Sequence, residues 1–315
     1  MFAMKASTLI LVVGLLLTAA FLLLAEREPA VRLAPAEAVL GFGFGGSAQP
    51  DQGGASASDD LVMQPALMQP GPTGREVQAR QTFTPAPEGV RPYLPILMYH
   101  YVRYVDRAVD PLGFGLSVTP EQFAAQLAWL HSNGYETVSM ADVARCIRGE
   151  GPCPARAVAL TFDDGYLDAY TEALPRLVAY GSTATFYIVS DFIGRPGYMG
   201  WEELRALRDA GMEIGAHSVN HPDLTRMRLD ELRDQVGRSG AVLAAELGQP
   251  IVSFCYPLGR YNDTVMAVTR EAGYRSATTT RTDLSQYDPF ALPRLRISGD
   301  TSQARFEEMI RAYLP

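Results

Sequence analysis

The strongest constraint on the fold is an alternation. From Pro95 to Pro315, short apolar runs take turns with segments of helical period. Strands are predicted at Ile96–Tyr101, Thr137–Ser139, Ala157–Phe162, Ala184–Val189, Glu213–Ala216, Ile251–Tyr256, Ser276–Thr279 and Arg294–Ile297. Helices are predicted at Pro120–Ser132, Ala141–Arg148, Leu167–Tyr180, Trp201–Ala210, Leu229–Leu247, Asn262–Ala272 and Ser302–Tyr313. Thr119 stands before Pro120 as an N-cap with proline at the first helical position, and Asn262 caps a later helix. Gly134, Gly181, Gly211 and Gly273 follow helix ends, where a left-handed residue is wanted. This alternation predicts an α/β fold on a parallel sheet, either closed as a barrel or open and doubly wound. No repeat of 20–50 residues is visible.

Ahead of this domain the chain reads differently. Ala6 to Ala25 is 20 residues without a charge, between Lys5 and Glu26-Arg27-Glu28. As a helix that length spans the ~30 Å hydrocarbon layer, so an uncleaved membrane anchor is expected in preference to a cleaved signal segment. Lys5 before the span places the N-terminus inside and the remainder outside the cytoplasm. Residues 26–92 are expected to be a flexible linker. Gly41 to Pro87 is dominated by Gly, Ala, Ser, Pro, Gln and Asp and holds too little apolar surface to offset its ordering entropy. The run Gly41-Phe42-Gly43-Phe44-Gly45-Gly46 spells G-x-G-x-x-G but has neither the strand before it nor the helix after it that a dinucleotide site needs. Residues 93–315 are the expected catalytic domain. The formal net charge of -8 excludes a general nucleic-acid binder, and a monomer is expected.

Active sites of parallel α/β folds form at the carboxyl ends of strands. Four polar clusters occupy that position: His100; Asp163 and Asp164; His217 and His221; and Pro257-Leu258-Gly259-Arg260-Tyr261-Asn262. Three of the four histidines of the chain are among them. The fourth, His131, sits at the end of a predicted helix, where the dipole favours it, and is assigned no role. Adjacent carboxylates repel unless a proton or cation intervenes. Two histidines four residues apart can aim both imidazoles at one ion. One carboxylate with these two histidines would leave a coordination position open for water, and the other aspartate would be free to deprotonate that water. His100 is the candidate acid for a leaving group. Mixed His and carboxylate ligands suit Zn²⁺, with Co²⁺ or Ni²⁺ as alternatives.

Thr161-Phe162-Asp163-Asp164-Gly165 followed by His217-Ser218-Val219-Asn220-His221 resembles the polysaccharide deacetylase family, also called carbohydrate esterase family 4 or the NodB-homology domain. The resemblance covers about Pro95 to Pro315. It implies a distorted (β/α) barrel of about seven parallel strands and metal-dependent removal of acetyl groups, N-linked or O-linked, from polysaccharides. By position, Asp163 would be the catalytic base, and Asp164, His217 and His221 the ligands of one divalent metal ion.

Two departures from the family pattern bear on the site. The family's Arg-x-Pro-aromatic-Gly motif is here Cys255-Tyr256-Pro257-Leu258-Gly259, so the arginine that orients the base is replaced by Cys255. Arg294 or Arg296 is expected to hold Asp163 instead, and the Leu258 backbone N–H to serve as an oxyanion donor. The family's C-terminal Leu-x-His is missing, and Leu97-Met98-Tyr99-His100 precedes the first motif. That permuted order resembles the branch containing deacetylases of poly-β-1,6-N-acetylglucosamine. The family's Asp-Trp motif is absent after Gly259. The competing readings are a non-catalytic carbohydrate-binding module on the same fold and a peptidoglycan or xylan acetyl esterase, which fold alone does not separate. Cys146 and Cys153 flank a short loop and are expected to form a disulfide in an exported domain. Cys255, in an apolar strand, reads as a small filler.

Overall fold

The computed structural model describes residues 94–151, 154–282 and 288–313. The expected anchor, the whole of the expected linker, and Cys153 lie outside the described residues. Among the described residues, no helix is long and apolar enough to cross a membrane.

The strands among the described residues run in the order β1 (Ile96–Tyr99), β2 (Tyr101–Val102), β3 (Ser117–Val118), β4 (Glu136–Val138), β5 (Ala157–Phe162), β6 (Thr185–Ile188), β7 (Glu213–Ala216), β8 (Ser253–Cys255), β9 (Ser276–Thr278) and β10 (Leu295–Arg296). The main sheet is parallel, in the order β10-β1-β5-β6-β7-β8-β9. β4 pairs with the first half of β5, through Glu136↔Ala157 to Val138↔Ala159, and β6 pairs with its last two residues, Thr161 and Phe162. The stretch before β10 bridges the two ends. Ala277 N donates to Pro289 O and Thr279 N to Leu292 O, while Leu295 and Arg296 pair with Leu97 and Met98 of β1. The strands curl as a (β/α) barrel requires.

The longer helices are α1 (Pro120–Ser132), α2 (Met140–Arg148), α3 (Leu174–Ala179), α4 (Trp201–Asp209), α5 (Leu229–Leu247), α6 (Asp263–Glu271) and α7 (Gln303–Arg311). α1 starts where the sequence signals it. Thr119 Oγ1 accepts from Gln122 N, and the Gln122 side chain accepts from Thr119 N. α1 buries Phe123, Leu127 and Leu130, spaced i, i+4, i+7. All six residues of β5 are buried, as expected of a central parallel strand. Its Phe162 ring stacks on Tyr99 and Phe186 at centroid distances of 5.2 and 4.9 Å and meets Phe123 edge-on. Burying one such ring contributes about 1.5–3 kcal/mol, and Phe162 immediately precedes Asp163 in the chain.

Two predicted elements divide. Ile96–Tyr101 is not one strand, because the chain leaves the barrel at His100. Tyr101 N donates to Leu116 O and Arg103 N to Val118 O, so β2 pairs with β3 in a separate ribbon. Leu167–Tyr180 is not one α-helix: a π-turn at Ala169–Ala173 precedes α3. Pro175 has no N–H to give Thr171, so the α-ladder cannot run through this point. Cys146, near the end of α2, is disulfide-bonded, and Cys255 is free and buried.

Candidate active site

The deepest charged group is Arg294, fully buried. It meets Asp163 in a two-pronged ion pair, Nη1 to Oδ1 and Nη2 to Oδ2, both at 2.7 Å. The remaining N–H groups donate to Thr279 O (2.9 Å), Thr161 Oγ1 (3.0 Å) and Cys255 Sγ (3.1 Å). All five donors of the guanidinium are therefore used. Of the two arginines expected near Asp163, Arg294 makes the contact, while Arg296 stands exposed in the pocket wall. Cys255 is more than a filler. Its sulfur touches both charges, 3.6 Å from Asp163 Oδ2, at the position where the arginine of the family motif is missing. Burial alone would raise the Asp163 pKa, but the Arg294 guanidinium outweighs it and holds the carboxyl well below the usual carboxylate range.

Asp164, His217 and His221 converge beside this pair. His217 Nδ1 lies 2.7 Å from Cys255 O. A carbonyl only accepts, so Nδ1 carries the proton there and Nε2 is the atom left to face Asp164. That Nε2 is 3.3 Å from Asp164 Oδ1, and His221 Nε2 is 3.6 Å from the same oxygen. Burial lowers the His217 pKa, but Cys255 and the Asp164 carboxylate raise it by more, so without a cation a proton on Nε2 faces Asp164. A divalent cation can take the place of that proton, with His221 neutral beside it. The two imidazole nitrogens and one carboxylate oxygen lie within 4.8 Å of one another, and the donor set suits Zn²⁺. The Cys255 carbonyl fixes the His217 ring, as outer partners of metal-binding histidines do. A second grouping, Asp163, His217 and Cys255, is equally compact. It does not fit a cation, because the Arg294 guanidinium already occupies Asp163 and touches Cys255.

The backbone is bent to make this arrangement. Four described non-glycine residues have left-handed conformations: Asp164 (φ 73°), Ser218 (66°), His221 (61°) and Leu258 (58°). Each costs about 1–3 kcal/mol, and such strain persists where the surroundings impose it. Gly165 (φ 84°) continues the turn after Asp164. Ser218 Oγ accepts from His221 N at 3.0 Å, folding His221 back until its ring lies 4.8 Å from that of His217. Gln235, buried on α5, accepts from Val219 N and Asn220 N and braces the same turn.

These residues line an open pocket of about 350 Å³ with His100, Leu116, Tyr256, Leu258, Gly259, Arg260, Thr280 and Arg296. His100 Nε2 is 3.9 Å from Asp163 Oδ2. Burial lowers the His100 pKa, more than the nearby Asp163 and Asp164 raise it, so the imidazole is neutral near pH 7. Leu258 lies on the rim with its side chain half exposed, and its N–H has no hydrogen bond among the described residues.

Residues 150–277 match the polysaccharide deacetylase family. The chain carries a polysaccharide deacetylase domain. Over 221 residues it is 29% identical to YxkH of Bacillus subtilis, which carries the name of a polysaccharide deacetylase, across 70% of this chain and 76% of that one. The poly-β-1,6-N-acetyl-D-glucosamine N-deacetylase of Escherichia coli is 27% identical over 242 residues, 62% of this chain. Those residues cover 36% of that relative. Among solved structures, the Streptococcus pyogenes deacetylase PplD in complex with acetate is 28% identical, with a TM-score of 0.65, across 72% of this chain and 99% of that chain. The domain is thus a hydrolase of the deacetylase class.

Some of the deacetylase pocket is not visible in the motifs. As a motif letter Thr161 has no evident role, yet its Oγ1 donates to Leu97 O and accepts from Arg294, joining β1, β5 and the buried ion pair. Leu116 and Thr280 reach the pocket from outside any motif. The signal that the sequence does carry is the run Arg294-Leu295-Arg296, whose alternation puts both arginines on one face.

Proposed function

We propose that the domain hydrolyses the N-acetyl groups of a polysaccharide that contains N-acetylglucosamine. The observation that carries this is the placement of the Asp164, His217 and His221 donor set beside an aspartate held in its ionised form by Arg294. The names of the E. coli relative and of the acetate-bound S. pyogenes neighbour support substrate and product class. A divalent cation held by Asp164, His217 and His221 would supply Lewis acidity to the acetyl carbonyl and to the attacking water. Asp163 takes the proton of that water. The Leu258 N–H donates to the oxygen on which charge develops. His100, neutral and within reach of Asp163, accepts the proton and gives it to the amine nitrogen as the C–N bond breaks. Acetate and the protonated amine result: one proton of the water reaches the nitrogen through Asp163 and His100, and the second passes from the nascent acetic acid to the amine.

The test uses β-1,6-linked N-acetylglucosamine oligomers and measures released acetate. Stripping the metal with a chelator is expected to abolish release, and added Zn²⁺ to restore it. His221→Ala is expected to lower bound metal in elemental analysis of the purified protein. Full activity in protein shown to be metal-free would overturn the assignment. We further propose that Ala6–Ala25 anchors the chain with the domain outside the cytoplasm, on the length and flanking charge of that segment. Protease added to intact cells should then release the domain. A domain cut only after lysis would refute this topology.

A further inference from the structure

Arg294 and Arg296 are two residues apart in an extended segment, so they share one face of the chain. Arg294 is the lower of the two and is saturated by Asp163. Arg296 is one pleat nearer the mouth, exposed, and lines the catalytic pocket with His100. Its guanidinium has no attractive partner among the described residues. Every other arginine among them has one: a carboxylate in nearly all cases, a backbone carbonyl for Arg156, an aromatic ring for Arg195 and a tyrosine hydroxyl for Arg281. The carboxylates nearby are committed, Asp163 to Arg294 and Asp164 to the two imidazoles. Arg260, the other arginine of the pocket wall, is held by Asp223 at 2.6 Å. Among the described residues, Arg296 is therefore the uncompensated arginine of the pocket.

We propose that Arg296 binds a carboxylate borne by the substrate chain beside the scissile acetamide, so that the domain selects acidic acetamido-glycans. This rests on the deacetylase reading and narrows its substrate class. A guanidinium fork matches a carboxylate with two parallel hydrogen bonds, whereas a sugar hydroxyl would leave most of it unpaired. On a chain of net charge -8, a polyanion is repelled at long range, and a local cation in the pocket gives it one favourable seat. Exposure of Arg296 fits contact with a group at the mouth rather than with the reacting carbonyl.

The experiment compares kcat/KM on neutral N-acetylglucosamine oligomers, on oligomers alternating N-acetylglucosamine with glucuronate, and on glycan strands whose N-acetylmuramic acid carries a lactyl carboxylate. Wild type should prefer one of the two acidic substrates by roughly 10- to 100-fold at low salt, the worth of a charge-assisted hydrogen-bonded pair, and added salt should weaken the preference. The preferred acid identifies the source of the carboxylate. In Arg296→Gln the ratio should collapse towards one, and Arg296→Lys should keep part of it. Equal turnover of neutral and acidic substrates by wild type, or a preference that Arg296→Gln retains, would overturn the proposal. No acetate from any of the three would overturn the deacetylase reading, and this proposal with it.

Discussion

Asp163→Asn is expected to lower kcat for acetate release by about 10²- to 10⁴-fold, the usual worth of a positioned general base. The change keeps the shape of the side chain and removes the basic oxygen. It also removes the counter-charge of a fully buried guanidinium, so the single variant loses stability as well as activity. The two effects separate in a second variant, Asp163→Asn with Arg294→Met, in which neither charge is buried. That double variant should melt closer to wild type than Asp163→Asn does and should remain inactive. Both should keep their metal, because Asp163 is not in the Asp164, His217 and His221 donor set that fits the cation. A double variant that regains stability together with near-wild-type turnover would show that Asp163 matters for folding and not as the base.

How far the sequence carries depends on whether the cause is local. β5, β7 and the seven longer helices stand within a few residues of their predicted places, apart from the π-turn that shortens α3, since alternation, helical period, caps and C′ glycines are written into neighbouring residues. The Asp163-Asp164 and His217–His221 motifs are local too, and the fold brings them to one rim. What stays hidden is long-range or conformational. β2 and β3 exist only because each finds the other across the loop from Arg103 to Leu116. The choice of Arg294 over Arg296 depends on a contact 131 residues apart in the chain. Asp164, Ser218, His221 and Leu258 take left-handed backbone without a glycine to announce it, because ion-pair and turn contacts at the site enforce what local preference opposes. The places where local preference gives way are the places where the chemistry is.

Arg294→Met should be the most destabilising single change at the site. The side chain spans the interior from the segment before β10 to the end of β5, and its five N–H groups are all bonded, two of them to a carboxylate that is itself buried. Removing one member of a buried pair leaves the other charge without compensation and costs about 3–5 kcal/mol. For a domain of this size that corresponds to a fall of roughly 6–20 °C in Tm. Methionine fills much of the volume, so the loss reports the stranded charge rather than a cavity. Arg294→Lys tests the geometry separately. It restores the positive charge but has no planar fork to reach Asp163, Thr161, Thr279 and Cys255 at once, so it should recover only part of the stability. A double-mutant cycle with Asp163→Asn measures the coupling between the two charges. If Arg294→Met melts within about 1 kcal/mol of wild type, a range usual for surface salt bridges, then the pair does not hold the barrel and Asp163 must be kept in place by its neighbours on β5.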